Sequence, residues 1–186
     1  MNSLDGKTVL ITGATRGAGL EAAKKLASCR CRIILNFAHN SADARNALRL
    51  LHELGADAEL HRADVSDGED VEAMFLNLAE CYGNVDVLIN CAGVSPAHRS
   101  CGETEDEWFD RCFSVKVKGA LLCTQSFIRN FRGNSEGLVI NVTGQETHDL
   151  VSDFAGDCLK KLTEKFTEKN IRFIQTAHCF ELPENL

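Results

Sequence analysis

The stretch Lys7-Thr8-Val9-Leu10-Ile11-Thr12-Gly13-Ala14-Thr15-Arg16-Gly17-Ala18-Gly19 decides the fold. It opens on a short apolar run without polar alternation, the pattern of a strand covered on both faces. Three glycines, Gly13, Gly17 and Gly19, then crowd into a short turn, and Gly19–Ser28 continues with helical spacing. A buried strand that turns through glycines into a helix is an arrangement suited to a dinucleotide. The first glycine permits a tight turn. The others let backbone approach a pyrophosphate and let helix pack on strand. The helix N-terminus adds free N–H groups and a favourable dipole.

Outward from this turn the alternation repeats. Strands are predicted at Lys7–Thr12, Cys31–Phe37, Asp57–Ala63, Val85–Asn90, Gly137–Thr143 and Ile171–Ala177. Helices are predicted at Gly19–Ser28, Ser41–Leu54, Asp67–Cys81, Glu105–Phe131 and Ser152–Lys169. Ser41 is the expected N-cap of the second helix, Gly55 lies just past its end, and Gly83 closes the third. Six strands alternating with helices predict an α/β fold: a Rossmann-like, doubly wound parallel six-stranded sheet with helices on both faces. Its ligand belongs at the carboxyl edge of the sheet. No repeat or linker divides the 186 residues, and Pro96 and Pro183 interrupt no element, so 1–186 reads as a single domain.

Composition narrows the partners. The chain carries 27 Asp and Glu against 20 Lys and Arg, a formal charge of −7. That balance disfavours nucleic acid and an anionic membrane surface. No apolar run approaches the roughly 20 residues needed to span a bilayer, and the start has no signal-peptide pattern. A cytoplasmic protein is expected. The nine cysteines form no CxxC pair and read as buried free thiols acting as small hydrophobes, with no metal site.

The spacing of Thr12, Gly13, Gly17 and Gly19 resembles that of the short-chain dehydrogenase/reductase family, of the classical type. The likeness runs along nearly the whole chain. Asp64-Val65 follows the third strand, where family members hold the adenine ring. Asn90-Cys91-Ala92-Gly93 follows the fourth and is similar to the family's NNAG motif with one change. Ile171-Arg172-Phe173 resembles the start of the sixth strand. The resemblance implies a nucleotide site drawn from Gly13, Thr15, Arg16, Gly17, Gly19, Asn36, Asn40, Asp64, Val65, Asn90, Ala92 and Gly93. NAD users carry an acidic residue after strand two. Here Asn36-Phe37-Ala38-His39-Asn40-Ser41 holds no carboxylate, and Asp43 is the first. Arg16 matches the position where NADP-preferring relatives place a base. NADP(H) is therefore the expected cofactor.

The family's chemistry uses a Tyr, a Lys, a Ser and an Asn to move a proton and place charge. The sequence contains one tyrosine, Tyr82, in the helix before strand four. The resemblance puts the family's Asn on Lys116 and its Ser on Gly144; Thr143 is adjacent but belongs to the other side of a continuing strand. Matching Leu162-Thr163 puts the Tyr on Ser152 and the Lys on Gly156. An ungapped match puts them on Asp157 and Lys161. Relatives continue past the sixth strand into a substrate lid and a last strand, both expected to be missing here, since the sequence stops at Leu186 soon after Ala177-His178-Cys179-Phe180. Polar residues expected at the carboxyl edge are Lys116, Gln145, Glu146, Thr147, His148, Asp149 and His178. Lys116 is suited to stabilising an oxyanion or enolate, and His148 or Glu146 to acting as a base.

Three readings follow. One is a non-standard enzyme for a small-molecule substrate: an atypical reductase, or a catalyst of cyclisation, elimination or isomerisation. Another is a pseudoenzyme that binds cofactor or a partner. A standard NADPH-dependent carbonyl reductase is disfavoured by the missing tyrosine. Relatives associate through the two long helices, so a homodimer is expected there; apolar rows such as Phe113, Val117, Leu121 and Phe127 either serve that contact or face the sheet.

Overall fold

A computed structural model of the chain describes residues 4–94, 101–132, 136–143, 150–166 and 170–176. Each predicted strand is present, trimmed at its ends: β1 (Thr8–Thr12), β2 (Arg32–Phe37), β3 (Asp57–Arg62), β4 (Val87–Asn90), β5 (Gly137–Val142) and β6 (Ile171–Thr176). They form one sheet in the order β3-β2-β1-β4-β5-β6, and every neighbouring pair is parallel. The order reverses between β1 and β4, which opens a crevice at their carboxyl ends.

Apolar burial on both faces explains the unbroken runs. On one face Val9, Ile11, Ile33, Leu35 and Ile89 pack with Ala22, Leu26, Ala47 and Leu51. These come from helices α1 (Gly17–Leu26) and α2 (Ser41–Glu53). On the other, Leu10, Ile34, Leu88 and Val139 pack with Met74, Phe75, Leu78, Cys123 and Phe127. Most of these partners lie on α3 (Gly68–Tyr82). Each fully buried aliphatic side chain contributes about 1.5–3 kcal/mol. The edge strand β3 departs from the run, because Asp57 and Glu59 are exposed on either side of buried Ala58.

Several boundaries differ from expectation, each for a local reason. Helix α1 begins at Gly17, two residues before the predicted Gly19. The N-cap of α2 is Asn40 and not Ser41: Asn40 Oδ1 accepts from the Ala42 and Asp43 amides, both at 3.1 Å. The predicted helix Glu105–Phe131 is three pieces. Helix α4 (Glu105–Cys112) starts on a reciprocal cap in which Thr104 and Glu107 bond each other's backbone N–H. A π-helical segment (Phe113–Lys118) follows, then α5 (Gly119–Asn130). A wider turn of this kind leaves the run of helix formers intact, so spacing alone does not reveal it. Helix α6 (Leu150–Thr163) completes the described helices.

Phe127 is buried in the second core cluster, so it does not belong to an outward row, while Phe113, Val117 and Leu121 are half-buried. The uniform reading of the cysteines also needs correction. Cys31, Cys112 and Cys123 are buried, but Cys81 and Cys101 are exposed; Cys179 lies outside the described residues. Burial pushes the Cys123 thiol up to about 12. Burial, with Cys29 alongside, pushes Cys31 up to about 11. Among the described residues no helix is long and apolar enough to cross a membrane.

Candidate functional site

The turn after β1 is shaped by what its glycines exclude. Gly13 has φ +61°, and a Cβ there would lie 2.7 Å from the Ala92 Cα. The β1 turn and the residues after β4 therefore close on each other through backbone alone. A Cβ on Gly19 would lie 2.5 Å from the Gly13 carbonyl oxygen, so α1 stacks directly on its own entry turn. Gly17 differs: its φ is +53°, yet nothing lies within 4 Å of its missing side chain. Space stands open above the first turn of α1. Arg16, the residue before the helix, caps it with extended backbone and no side-chain hydrogen bond. The first N–H groups of α1 are thus left to an external acceptor, which suits an anion. Thr15 is half-buried within the same turn.

Buried polar side chains hold this mouth in place. The Thr12 hydroxyl accepts from the Cys91 and Ala92 amides, both at 3.1 Å. Thr12 belongs to the site's scaffold and was not among the residues expected there. Its signal was local, a hydroxyl at the end of a strand whose other residues are aliphatic. Asn90 donates from Nδ2 to Asn141 Oδ1 at 2.8 Å and to Thr124 Oγ1 at 3.2 Å. Asn141 donates to Thr163 Oγ1 at 2.7 Å, and Thr163 donates to the Leu159 carbonyl at 2.7 Å. This chain of bonds ties α6 through β5 and β4 to α5.

Four of the expected ligand residues have side chains held in supporting places. Asn36 is 2% exposed and bonds the Gly13 amide and the Ala63 carbonyl, so it braces the turn from beneath. Asn90 is buried in the network just described. Val65 is buried against Gly119, where a Cβ would lie 2.8 Å from Val65 Cγ2. Asn40 has both ends of its amide occupied at the start of α2, with Nδ2 donating to Asp43 at 2.7 Å. Ala92 is half-buried and Gly93 exposed at the mouth itself.

Asp64 stands on the far side of the β2 end. Burial raises its carboxyl's pKa. The Ser66 hydroxyl and amide on Oδ1, together with the charges of His39 and Lys118, outweigh that and hold it below the usual carboxylate range. His39 Nε2 lies 3.9 Å from Asp64 Oδ2. An ionised acceptor is therefore kept beside the end of β2.

At the other end, Lys116 sits on the π-helical segment. Its Nζ lies 3.6 Å from the point where a Cβ on Gly156 would stand, and that same point is 3.1 Å from the Thr143 carbonyl oxygen. A bare glycine on α6 thus admits an ammonium group at the carboxyl end of β5. Phe113, on the same segment, stacks on Phe109 at 4.4 Å and leans on Phe154 of α6 at 5.7 Å, which holds the segment against the helix. Asp157 and Lys161 are both exposed. Thr143 turns its hydroxyl to the Thr176 carbonyl at 3.3 Å. Tyr82 is remote from this edge. It closes α3 and donates to Glu59 at 2.5 Å, with the Arg32 guanidinium 4.6 Å above its ring. Gln145, Glu146, Thr147, His148, Asp149 and His178 lie outside the described residues. Among the described residues no group of three or more His, Cys, Asp or Glu is placed to hold a metal ion.

A family model described as short chain dehydrogenase matches residues 7–155. Tetrahydroxynaphthalene reductase of Pyricularia oryzae is 31% identical over 147 residues, which cover 77% of this chain and 50% of that protein. An NADPH-dependent aldehyde reductase-like chloroplastic protein of Arabidopsis thaliana is 29% identical over 85% of this chain and 63% of its own length. The chain thus spans half to two thirds of these two relatives. Among solved structures, a metagenomic short-chain oxidoreductase in complex with NADP superposes with a TM-score of 0.79 at 25% identity, over 93% of this chain and 82% of that one.

Proposed function

The chain belongs to the short-chain dehydrogenase family, and from that premise we propose that it binds NADP(H) in the crevice beside β1 and acts as a non-standard enzyme on a small molecule. The observation that carries the cofactor reading is the uncapped start of α1 beneath open space at Gly17. Gly13 and Gly19 keep backbone close enough to line a pyrophosphate, and Asp64 offers an ionised acceptor to the adenosine end. When bound, the cofactor supplies hydride chemistry.

The non-standard part rests on Tyr82 and Lys116. The one tyrosine of the sequence bonds Glu59, away from the carboxyl edge. Lys116 brings an ammonium to the end of β5, where it stabilises a developing oxyanion or enolate. Glu146 or His148 serves as the base. The same tyrosine supports a second reading, a pseudoenzyme that binds cofactor or a partner without turning over. The homodimer is proposed on the α4–α6 side, where Leu150 is 86%, Phe154 56% and Phe109 41% exposed. A monomeric mass in light scattering at micromolar concentration counts against it.

Thermal unfolding with NADPH, NADP+ and NADH tests the cofactor. A ligand at a hundredfold excess over Kd stabilises the folded chain by about 2.7 kcal/mol, a shift of several degrees. A shift with NADPH and NADP+ beyond that with NADH is the expected result; no shift removes the reading. NADPH absorbance across a panel of carbonyl compounds then separates redox turnover from binding alone. Lys116→Ala should abolish any turnover found while leaving the NADPH shift in place.

A further inference from the structure

One buried side chain joins three strand ends at a corner of the sheet. Asn36 Oδ1 accepts from the Gly13 amide at 3.4 Å, and its backbone carbonyl accepts from the Ala14 amide at 3.0 Å. Its Nδ2 donates to the Ala63 carbonyl at 2.9 Å, and the Ala63 amide donates to the Phe37 carbonyl at 3.0 Å. The turn after β1, the end of β2 and the end of β3 are thereby fixed to one another.

Arg62 is the last residue of β3, paired with Phe37. It is exposed, and its Nε donates to the Ala38 carbonyl at 3.1 Å. That bond anchors the guanidinium on the connection between β2 and α2. Among the described residues its two terminal amino groups have neither a hydrogen-bond nor an ion-pair partner. The choice of anchor is informative in a chain of net charge −7, where carboxylates outnumber cations. Arg62 is tied to a neutral carbonyl, and no acid precedes Asp43 on that connection. Asp43 in turn takes a bond from Asn40 at 2.7 Å. A guanidinium held at Nε presents its remaining donors as a planar fork, which matches two oxygens of a phosphate.

We infer that Arg62 determines cofactor specificity, its fork receiving a phosphate monoester on the adenosine ribose. Arg16, on the turn that Asn36 ties to the same corner, supplies the second cation. The inference rests on the nucleotide reading above and adds to it a residue from the edge strand, where the sequence motifs gave no reason to look. A carboxylate at the end of β2 would take a ribose hydroxyl; an arginine bonded to that end from β3 takes a phosphate.

The test is equilibrium titration of the whole chain and of the variants Arg62→Gln and Arg62→Lys with NADPH and NADH, and with adenosine 2′,5′-bisphosphate against AMP. The wild type is expected to prefer NADPH, and the bisphosphate over AMP. Arg62→Gln should weaken NADPH and the bisphosphate by about tenfold or more, with NADH and AMP changed less than about twofold. Arg62→Lys keeps the charge without the fork and should fall between. An Arg62→Gln chain that binds NADPH as the wild type does overturns the inference and leaves the nucleotide reading standing. So does an equal weakening of NADPH and NADH, which makes Arg62 a structural residue of the edge strand. A wild type that binds neither nucleotide, or binds NADH as tightly as NADPH, overturns both.

Discussion

Gly19 and Gly17 stand two residues apart and resist a methyl group for different reasons. At Gly19 the obstacles are the Gly13 carbonyl oxygen at 2.5 Å and the Ala14 Cα at 2.9 Å, both backbone. Neither can swing aside, so Gly19→Ala should destabilise the chain by about 1–3 kcal/mol in urea unfolding. At Gly17 the space is open and the obstacle is φ alone, so Gly17→Ala should cost about 1–2 kcal/mol. It should also weaken nucleotide binding, because its methyl would enter the space above α1. The glycine turn was legible because its chemistry is local: strand, turn and helix follow one another in sequence. Asn36 was not. Its partners are at residues 13 and 63, and only the sheet brings them to it. Lys116 was placed near the right edge, but its approach to Gly156 depends on two helical segments packing, which spacing does not encode.

Among the elements, α4 depends on its first turn. Thr104 and Glu107 satisfy each other's backbone N–H groups, and Thr104→Ala should cost about 1 kcal/mol in urea unfolding. The buried bonds from Asn90 through Asn141 to Thr163 connect elements far apart in sequence, and Asn141→Ala should cost more. It leaves Asn90 without its 2.8 Å acceptor and takes from Thr163 its donor partner, for about 1–3 kcal/mol. Strand and helix identities were legible throughout, because β-strand runs and helical spacing are properties of contiguous residues. The π-helical segment was not, since Phe113–Lys118 carries the same kinds of residue as the α-helices on either side.

Across the whole molecule, pH reads out two buried thiols. Cys123 is held protonated up to about 12 and Cys31 up to about 11, against 9.0 in the unfolded chain. Below pH 9 both states keep the proton and the full stability is present. Above it the unfolded chain ionises first, and stability falls by as much as about 1.4 kcal/mol per pH unit for each thiol. Unfolding free energy measured from pH 8 to 11 should show this slope, and Cys123→Ala should lessen it. Asp64 acts at the other end of the scale. Its folded carboxyl is held below the unfolded value of 3.8, so its contribution is present above that value and is lost as pH falls through the folded one.

The Asn36 brace also orders events in time. Every group it joins, and every backbone atom that lines the turn, comes from residues before Gly93. Lys116 and α6 come later in the chain. During synthesis the ribosome therefore joins every residue of this corner to the chain before it adds Lys116 or any of α6.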